Sequence, residues 1–114
     1  MHELGTIYYM IDTVEKLMQE QSLQQVGCIT LQVGEVSGIV PEYLKSFWEY
    51  ARKKTEHFQE TSLKIEPIPA VTWCEDCRDT YPTIPHGKRC PYCGGGRTFL
   101  IRGNEYIIKE IEAL

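Results

Sequence analysis

The stretch Cys74-Glu75-Asp76-Cys77, followed after twelve intervening residues by Cys90-Pro91-Tyr92-Cys93, decides how the rest of the chain is read. Two thiolates two residues apart reach one ion from a single tight turn. A second such turn completes a four-sulfur shell that leaves no coordination position for a substrate. Zinc is the expected metal, and its role is structural. Pro91 and Gly94-Gly95-Gly96 suit the turn, because the chain must fold back toward its own sulfurs and glycine adopts positive φ without steric cost. The competing reading is two redox or disulfide pairs. It fits less well, since a thioredoxin-type pair stands singly at the start of a helix and both pairs here lie among turn residues. Trp73 and Tyr81 are expected to shield the metal.

Beyond the cysteines, 114 residues with a 42% hydrophobic fraction allow one modest core, which a metal would reinforce. Five cysteines, four in the pairs plus Cys28, fit a reducing compartment with bound metal better than a secreted disulfide scaffold, so the cytoplasm is expected. The opening Met1-His2-Glu3-Leu4-Gly5 lacks a basic leader, and Asp12, Glu15 and Lys16 break the first apolar stretch. Neither a signal peptide nor a membrane span is expected. Residues 70–102 carry five Lys/Arg against three acids, which four thiolates on a divalent zinc bring to neutrality, while the remainder carries −6 of formal charge. Neither part is built for phosphates, and no nucleic-acid partner is expected.

The apolar residues Leu4, Ile7, Tyr8, Ile11, Val14 and Met18 form a helical stripe to about Glu20. From Val26 to Val36, Ile29, Leu31 and Val33 alternate with Cys28, Thr30 and Gln32 as in a strand, with Cys28 as a small core residue. Pro41 starts a second helix with a stripe of Val40, Leu44, Phe47, Trp48 and Ala51, and the cations Arg52-Lys53-Lys54 suit its negative end. His57 is read as a solvated residue in the exit loop. Residues 63–66 alternate as a short strand, Pro67 and Pro69 mark a sheet edge, and after Gly103-Asn104 a last strand over 105–112 returns with Ile107, Ile108 and Ile111. The expected fold is α+β: a three-stranded sheet with two helices on one side, plus an inserted zinc-ribbon-like module. Its segments are 1–69 (nickel-binding α/β module), 70–102 (zinc-binding module) and 103–114 (final strand returning to the first).

An N-terminal histidine is in general a residue without a task. Here, histidine is too bulky for the usual removal of an initiator methionine, so Met1 is expected to be kept. Its free amine, the His2 amide nitrogen and the His2 imidazole then form two fused chelate rings on one metal. Such nitrogen-rich, in-plane donor sets suit Ni(II) or Cu(II) and not tetrahedral zinc. The fourth position is open to a Glu3 amide or carboxylate or to a group from elsewhere.

The Met1-His2-Glu3-Leu4 start, the strand end Val33-Gly34-Glu35-Val36-Ser37-Gly38 before Pro41-Glu42, the two cysteine pairs and the Gly103-Asn104-Glu105 return occur together over nearly the whole length. In this combination the chain resembles the HypA/HybF family of hydrogenase nickel-insertion proteins. The resemblance implies a metallochaperone that carries nickel as transient cargo to the large subunit of nickel-iron hydrogenase, working with the GTPase HypB. In some members it extends to urease maturation proteins. It implies that His2 is the essential nickel ligand, with Glu3 and the Met1 amine as further candidate ligands. It also implies that Cys74, Cys77, Cys90 and Cys93 hold a structural zinc. No enzymatic activity is expected, because no nucleophile–base motif or phosphate loop is present and a closed four-sulfur zinc polarises no substrate. The rival from another class is a zinc-ribbon adaptor or nucleic-acid-binding module.

Overall fold

The computed structural model describes the backbone of residues 2–114 and the side chains of residues 4–114. Its elements run α1 (His2–Glu20), β1 (Val26–Gly34), α2 (Pro41–Arg52), a 3-10 turn (Glu56–Phe58), β2 (Ser62–Ile68), β3 (Val71–Cys74), β4 (Asp79–Pro82), the short α3 (Thr83–His86), β5 (Thr98–Arg102) and β6 (Tyr106–Ala113). They form two compact units. The first holds the residues up to Gln32, Ile39–Glu66 and Ile107–Leu114, and the second holds Val33–Gly38 and Pro67–Tyr106. The expected α+β class, with a three-stranded sheet and a cysteine module, is what the chain adopts.

In the first unit, α1 buries Ile7, Met10, Ile11, Val14 and Met18. Each such side chain removed from water contributes roughly 1.5–3 kcal/mol. Tyr8, expected in this stripe, is 49% exposed. At 100° per residue Met10 lies on the same face as Ile7, Ile11 and Val14, whereas Tyr8 is turned away from Ile7. The helix ends at Ser22, a non-glycine residue with φ of 56°. There Leu23 N–H donates to the Met18 carbonyl at 2.9 Å and Ser22 N–H to Gln19 at 3.4 Å, the two bonds of a Schellman cap.

The first sheet has the order β2-β1-β6, with β1 central, so Pro67 lies in the edge strand its missing N–H requires. Thr61 Oγ1 donates to the Val26 carbonyl at 2.5 Å where β1 and β2 begin, and Glu35 N–H donates to Ile68 O at 2.9 Å where they end, so these strands run parallel. Val26, Ile29, Leu31 and Val33 of β1 are buried, whereas Cys28, expected in the core, is only half-buried. Leu44, Trp48 and Ala51 of α2 are buried, and Trp48 Nε1 donates to the Thr61 carbonyl at 3.1 Å. Val40, expected in the α2 stripe, is instead the extended residue before the helix and is 41% exposed. At the other end Arg52 is tied to Glu49 and to the Gln59 carbonyl, and Lys54 stands 4.5 Å over the Tyr50 ring, so these cations do more than face the dipole. His57 lies in the 3-10 turn with Nδ1 3.2 Å from the Gln24 carbonyl oxygen.

The second unit contains an antiparallel sheet, β4-β3-β5, which gives the expected zinc-ribbon-like module its strands, none of which the sequence reading placed individually. The β-branched and aromatic runs Thr80-Tyr81 and Thr98-Phe99-Leu100-Ile101, bounded by turn residues, are the signal for it. Alternation along β3 buries Thr72 and Cys74 and turns Trp73 to the opposite face, where its cross-strand neighbours are Thr80 and Phe99. Trp73 therefore does not shield the sulfurs. At one end of this unit Val36 N–H donates to the Gly103 carbonyl at 2.7 Å, and Gly34 N–H donates to Glu105 O at 2.8 Å. Ala70 N–H donates to Glu35 Oε1 at 2.8 Å.

These bonds require a backbone approach that only glycine allows. A Cβ on Gly34 would stand 2.0 Å from the Gly103 oxygen, and Gly103, at φ of 120°, is itself pressed against Ala70. Gly34→Ala is therefore expected to destabilise the protein by about 2 kcal/mol or more, because the obstructing atoms are backbone and cannot rotate away. A urea unfolding midpoint unchanged from that of the parent would contradict this reading.

Candidate metal centre

Each cysteine pair occupies the same kind of turn, built locally by its backbone. In the first, Arg78 N–H donates to the Cys74 carbonyl at 2.8 Å; in the second, Gly94 N–H donates to the Cys90 carbonyl at 2.8 Å. The closing residue is left-handed in both, with φ of 54° at Arg78 and 72° at Gly94. Turning the chain back in this way aims amide hydrogens at the sulfurs. Cys77 N–H approaches Cys74 Sγ at 3.5 Å, Tyr92 N–H approaches Cys90 Sγ at 3.4 Å and Gly95 N–H approaches Cys93 Sγ at 3.4 Å. Such donors favour the thiolate over the thiol. Gly95 is closely surrounded: a Cβ would meet Asp76 Oδ2 at 3.1 Å and Cys93 Sγ at 3.2 Å, so these neighbours would have to give by a few tenths of an ångström.

The four sulfurs converge. All lie within 4.8 Å of one another, with Cys74–Cys93 and Cys77–Cys90 each at 3.7 Å. Four thiolates about 2.3 Å from a central zinc have sulfur–sulfur edges of about 3.8 Å, so the donor set and its size fit a tetrahedral zinc. When bound, the metal supplies a charge that holds four thiolates together; the chain supplies the turns, the amide donors and the cover. Cys74, Cys90 and Tyr81 form a buried cluster with Cys77 packed against it. The Tyr81 hydroxyl donates to the Gly87 carbonyl at 2.9 Å, which satisfies its polar end. Of the two aromatics expected as shields, Tyr81 serves.

Arg97 holds the first turn from outside, a role that sequence reasoning missed. Its guanidinium bridges Asp76 and Glu75 at 3.1 Å each, and its carbonyl accepts from Glu75 N–H at 2.9 Å. Because all three side chains are largely exposed, each ion pair contributes on the order of 0–1 kcal/mol, and the backbone bond is the firmer tie.

Without metal the crowded thiols do not share one acidity. Contact with the Cys93 sulfur, followed by burial and by the Cys90 and Cys74 sulfurs, pushes Cys77 up to about 12. Burial acts to raise Cys90, but the amides of Cys93 and Tyr92 and the neighbouring sulfurs outweigh it and bring Cys90 down to about 7. For Cys93 the Gly95 amide pulls downward, but burial and the Cys74 and Cys90 sulfurs leave it raised.

Of the other residues singled out, Cys28 and His57 stand outside this cluster. Met1, His2 and Glu3, on which the nickel reading rests, lie outside the residues whose side chains are described.

Comparison with known proteins takes in the whole chain. Residues 1–113 match the family model described as hydrogenase/urease nickel incorporation, metallochaperone, hypA. The chain belongs to the HypA family. The hydrogenase maturation factor HypA of Beijerinckia indica subsp. indica is 29% identical over 114 residues, covering 100% of both chains. That of Dehalococcoides mccartyi is 30% identical, covering 98% of this chain and 93% of the relative. The solution structure of the Ni metallochaperone HypA from Helicobacter pylori superposes with a TM-score of 0.73 at 19% identity, covering 98% of this chain and 97% of the other, which shows the shared fold.

Because the thiolate is the metal-binding form, protons compete with zinc, and the thiols held above neutrality must release theirs on binding. Zinc uptake at pH 7 is expected to release protons from Cys77 and Cys93 and a fraction from Cys90, and its affinity is expected to fall as the pH falls. Titration calorimetry in buffers of differing ionisation enthalpy checks the proton count. Uptake without net proton release would contradict the arrangement.

Proposed function

We propose that this protein is a nickel carrier that binds Ni(II) transiently at its N-terminus, delivers it to the large subunit of nickel-iron hydrogenase, and keeps a separate zinc in the four-cysteine site. The observation that carries this reading is the match of the whole chain to a nickel-incorporation family, together with a histidine at position 2. The Met1 amine, the His2 amide nitrogen and the His2 imidazole are the proposed donors, with Glu3 as a candidate fourth. His2 begins α1. The first amide groups of a helix have no carbonyl partner four residues back, so the His2 nitrogen is not committed to the helix and is free to turn to a metal. A nitrogen-rich set of this kind suits Ni(II), whereas the four sulfurs suit zinc, so the two metals are sorted by ligand chemistry.

The GTPase HypB is the proposed partner that powers transfer, with urease maturation as a further client. The protein itself carries cargo and catalyses no reaction. Residues 1–69 with 103–114 are proposed as the nickel-binding module and 70–102 as the zinc-binding module. Among the described residues no helix is long and apolar enough to cross a membrane. Five cysteines without a disulfide suit a reducing cytoplasm.

Nickel titration of the untagged protein tests the site. His2→Ala is expected to abolish nickel binding with zinc content and amide spectrum unchanged. One or two residues added before Met1 turn the amine into an amide and are expected to weaken binding and change the nickel spectrum. Protons compete for the amine and imidazole, whose ordinary pKa values are about 7.7–8.0 and about 6.5, so nickel affinity should fall steeply from pH 8 to pH 6. Stoichiometric nickel binding by His2→Ala would overturn the proposal.

A further inference from the structure

The outer edge of β6 and the groove beside it form a surface that neither metal site uses. β6 is an end strand of its sheet and is eight residues long, so among the described residues no further strand pairs with the outer side of residues 107–113. A groove of about 410 Å3 runs between this strand and the C-terminal part of α1. Four consecutive residues, 108–111, line it, and side chains of consecutive residues point to alternate faces, so the groove opens along the edge of β6 and not only over one face. Lys109 is drawn to the far face by Glu66 at 2.9 Å, which leaves Ile108 and Glu110 on the side of α1. The groove is thus apolar at Leu17, Met18 and Ile108. Of the charged residues that line it, only Lys109 is in a salt bridge among the described residues, and Glu110 is left for a ligand.

A second copy of the chain is a poor occupant. Two-fold antiparallel pairing of β6 with itself places residues of the same face opposite one another, so every register is centred on a residue. The registers that pair the most residues, centred on Lys109 or Glu110, set Lys109 against Lys109 or Glu110 against Glu110. Of the registers that pair five residues, the one centred on Ile111 sets Glu110 against Glu112, and the one centred on Ile108 sets Glu110 against Tyr106 without opposing like charges but leaves residues 111–113 unpaired. Like charges directly opposite destabilise a strand pair. The charges that guard the edge against itself still allow a different strand with a cation in the right place.

We propose that the β6 edge accepts an extended segment of a partner protein as a fourth strand, with an apolar side chain opposite Ile108 and a basic side chain opposite Glu110. Main-chain hydrogen bonds supply the affinity in this mode, and the alternate side chains in the groove supply the specificity.

The test uses the full-length, metal-loaded protein and three blocked octapeptides of alternating threonine and valine. One carries arginine at a central groove-facing position, one carries glutamate there, and one repeats the arginine peptide with alternate backbone nitrogens methylated. In amide NMR titrations the arginine peptide is expected to shift residues 107–112 together with Leu17 and Leu23. The glutamate peptide should bind about fivefold more weakly, and the methylated peptide should not bind. Glu110→Lys, at an exposed position, should invert the order of the first two with the remaining spectrum unchanged. The proposal is overturned if neither peptide moves the β6 amides, if methylation leaves binding unaltered, or if dilution of the free protein moves these amides and so assigns the edge to a second copy.

Discussion

The convergence of four cysteine sulfurs is the constraint on which the second unit depends. Few apolar residues are buried there: Val33, Ala70, Cys74, Tyr81 and Cys90 make up its apolar core, while Phe99, Ile101, Tyr92 and Ile84 are exposed. A unit of fewer than fifty residues with so thin a core gains too little from apolar burial to offset its chain entropy. Structural zinc in small modules contributes apparent binding free energy on the order of 10 kcal/mol, which is the scale needed. The geometry of the turns follows from this demand. Arg78 and Gly94 take left-handed conformations that turn the chain back so that the sulfurs of Cys74 and Cys93 and those of Cys77 and Cys90 meet at 3.7 Å.

The first unit has the opposite economy. It buries Ile7, Met10, Val14, Ile29, Leu31, Leu44, Trp48 and Phe58 nearly completely, and its internal polar groups are satisfied, as with the Trp48 indole on the Thr61 carbonyl. An apolar core of this kind does not need a metal to hold it together. A carrier must release its cargo, and a fixed four-sulfur shell is unsuited to that. In the proposed function, a permanent sulfur site and a separate exchangeable nitrogen site resolve the conflict by ligand chemistry and not by affinity alone.

Much of this was legible in the sequence where one periodicity or spacing dominated. The paired cysteines specified a single four-sulfur site, and the stripes of α1 and α2 specified the helices of the first unit. The errors arose where a residue was apolar but lay one position off the buried arc, as with Tyr8 beside Ile7 and Val40 before the first turn of α2. The zinc-ribbon-like module was read from its cysteines, but the individual strands β3, β4 and β5 were not placed, because strands of four or five residues carry little alternation to count, and Trp73 was misplaced as a consequence. Arg97 escaped notice because its partners Glu75 and Asp76 are more than twenty positions away, a proximity created by the metal turns themselves.

The proposed function requires two metals held by two different sets of donors in one small protein. X-ray absorption at the zinc and nickel edges of the same untagged, doubly loaded sample tests this most directly. Four sulfurs at about 2.3 Å around zinc, with only nitrogen and oxygen around nickel, is the expected result. Sulfur in the nickel shell, or loss of zinc–sulfur scattering when nickel is added, would contradict the separation of the two sites.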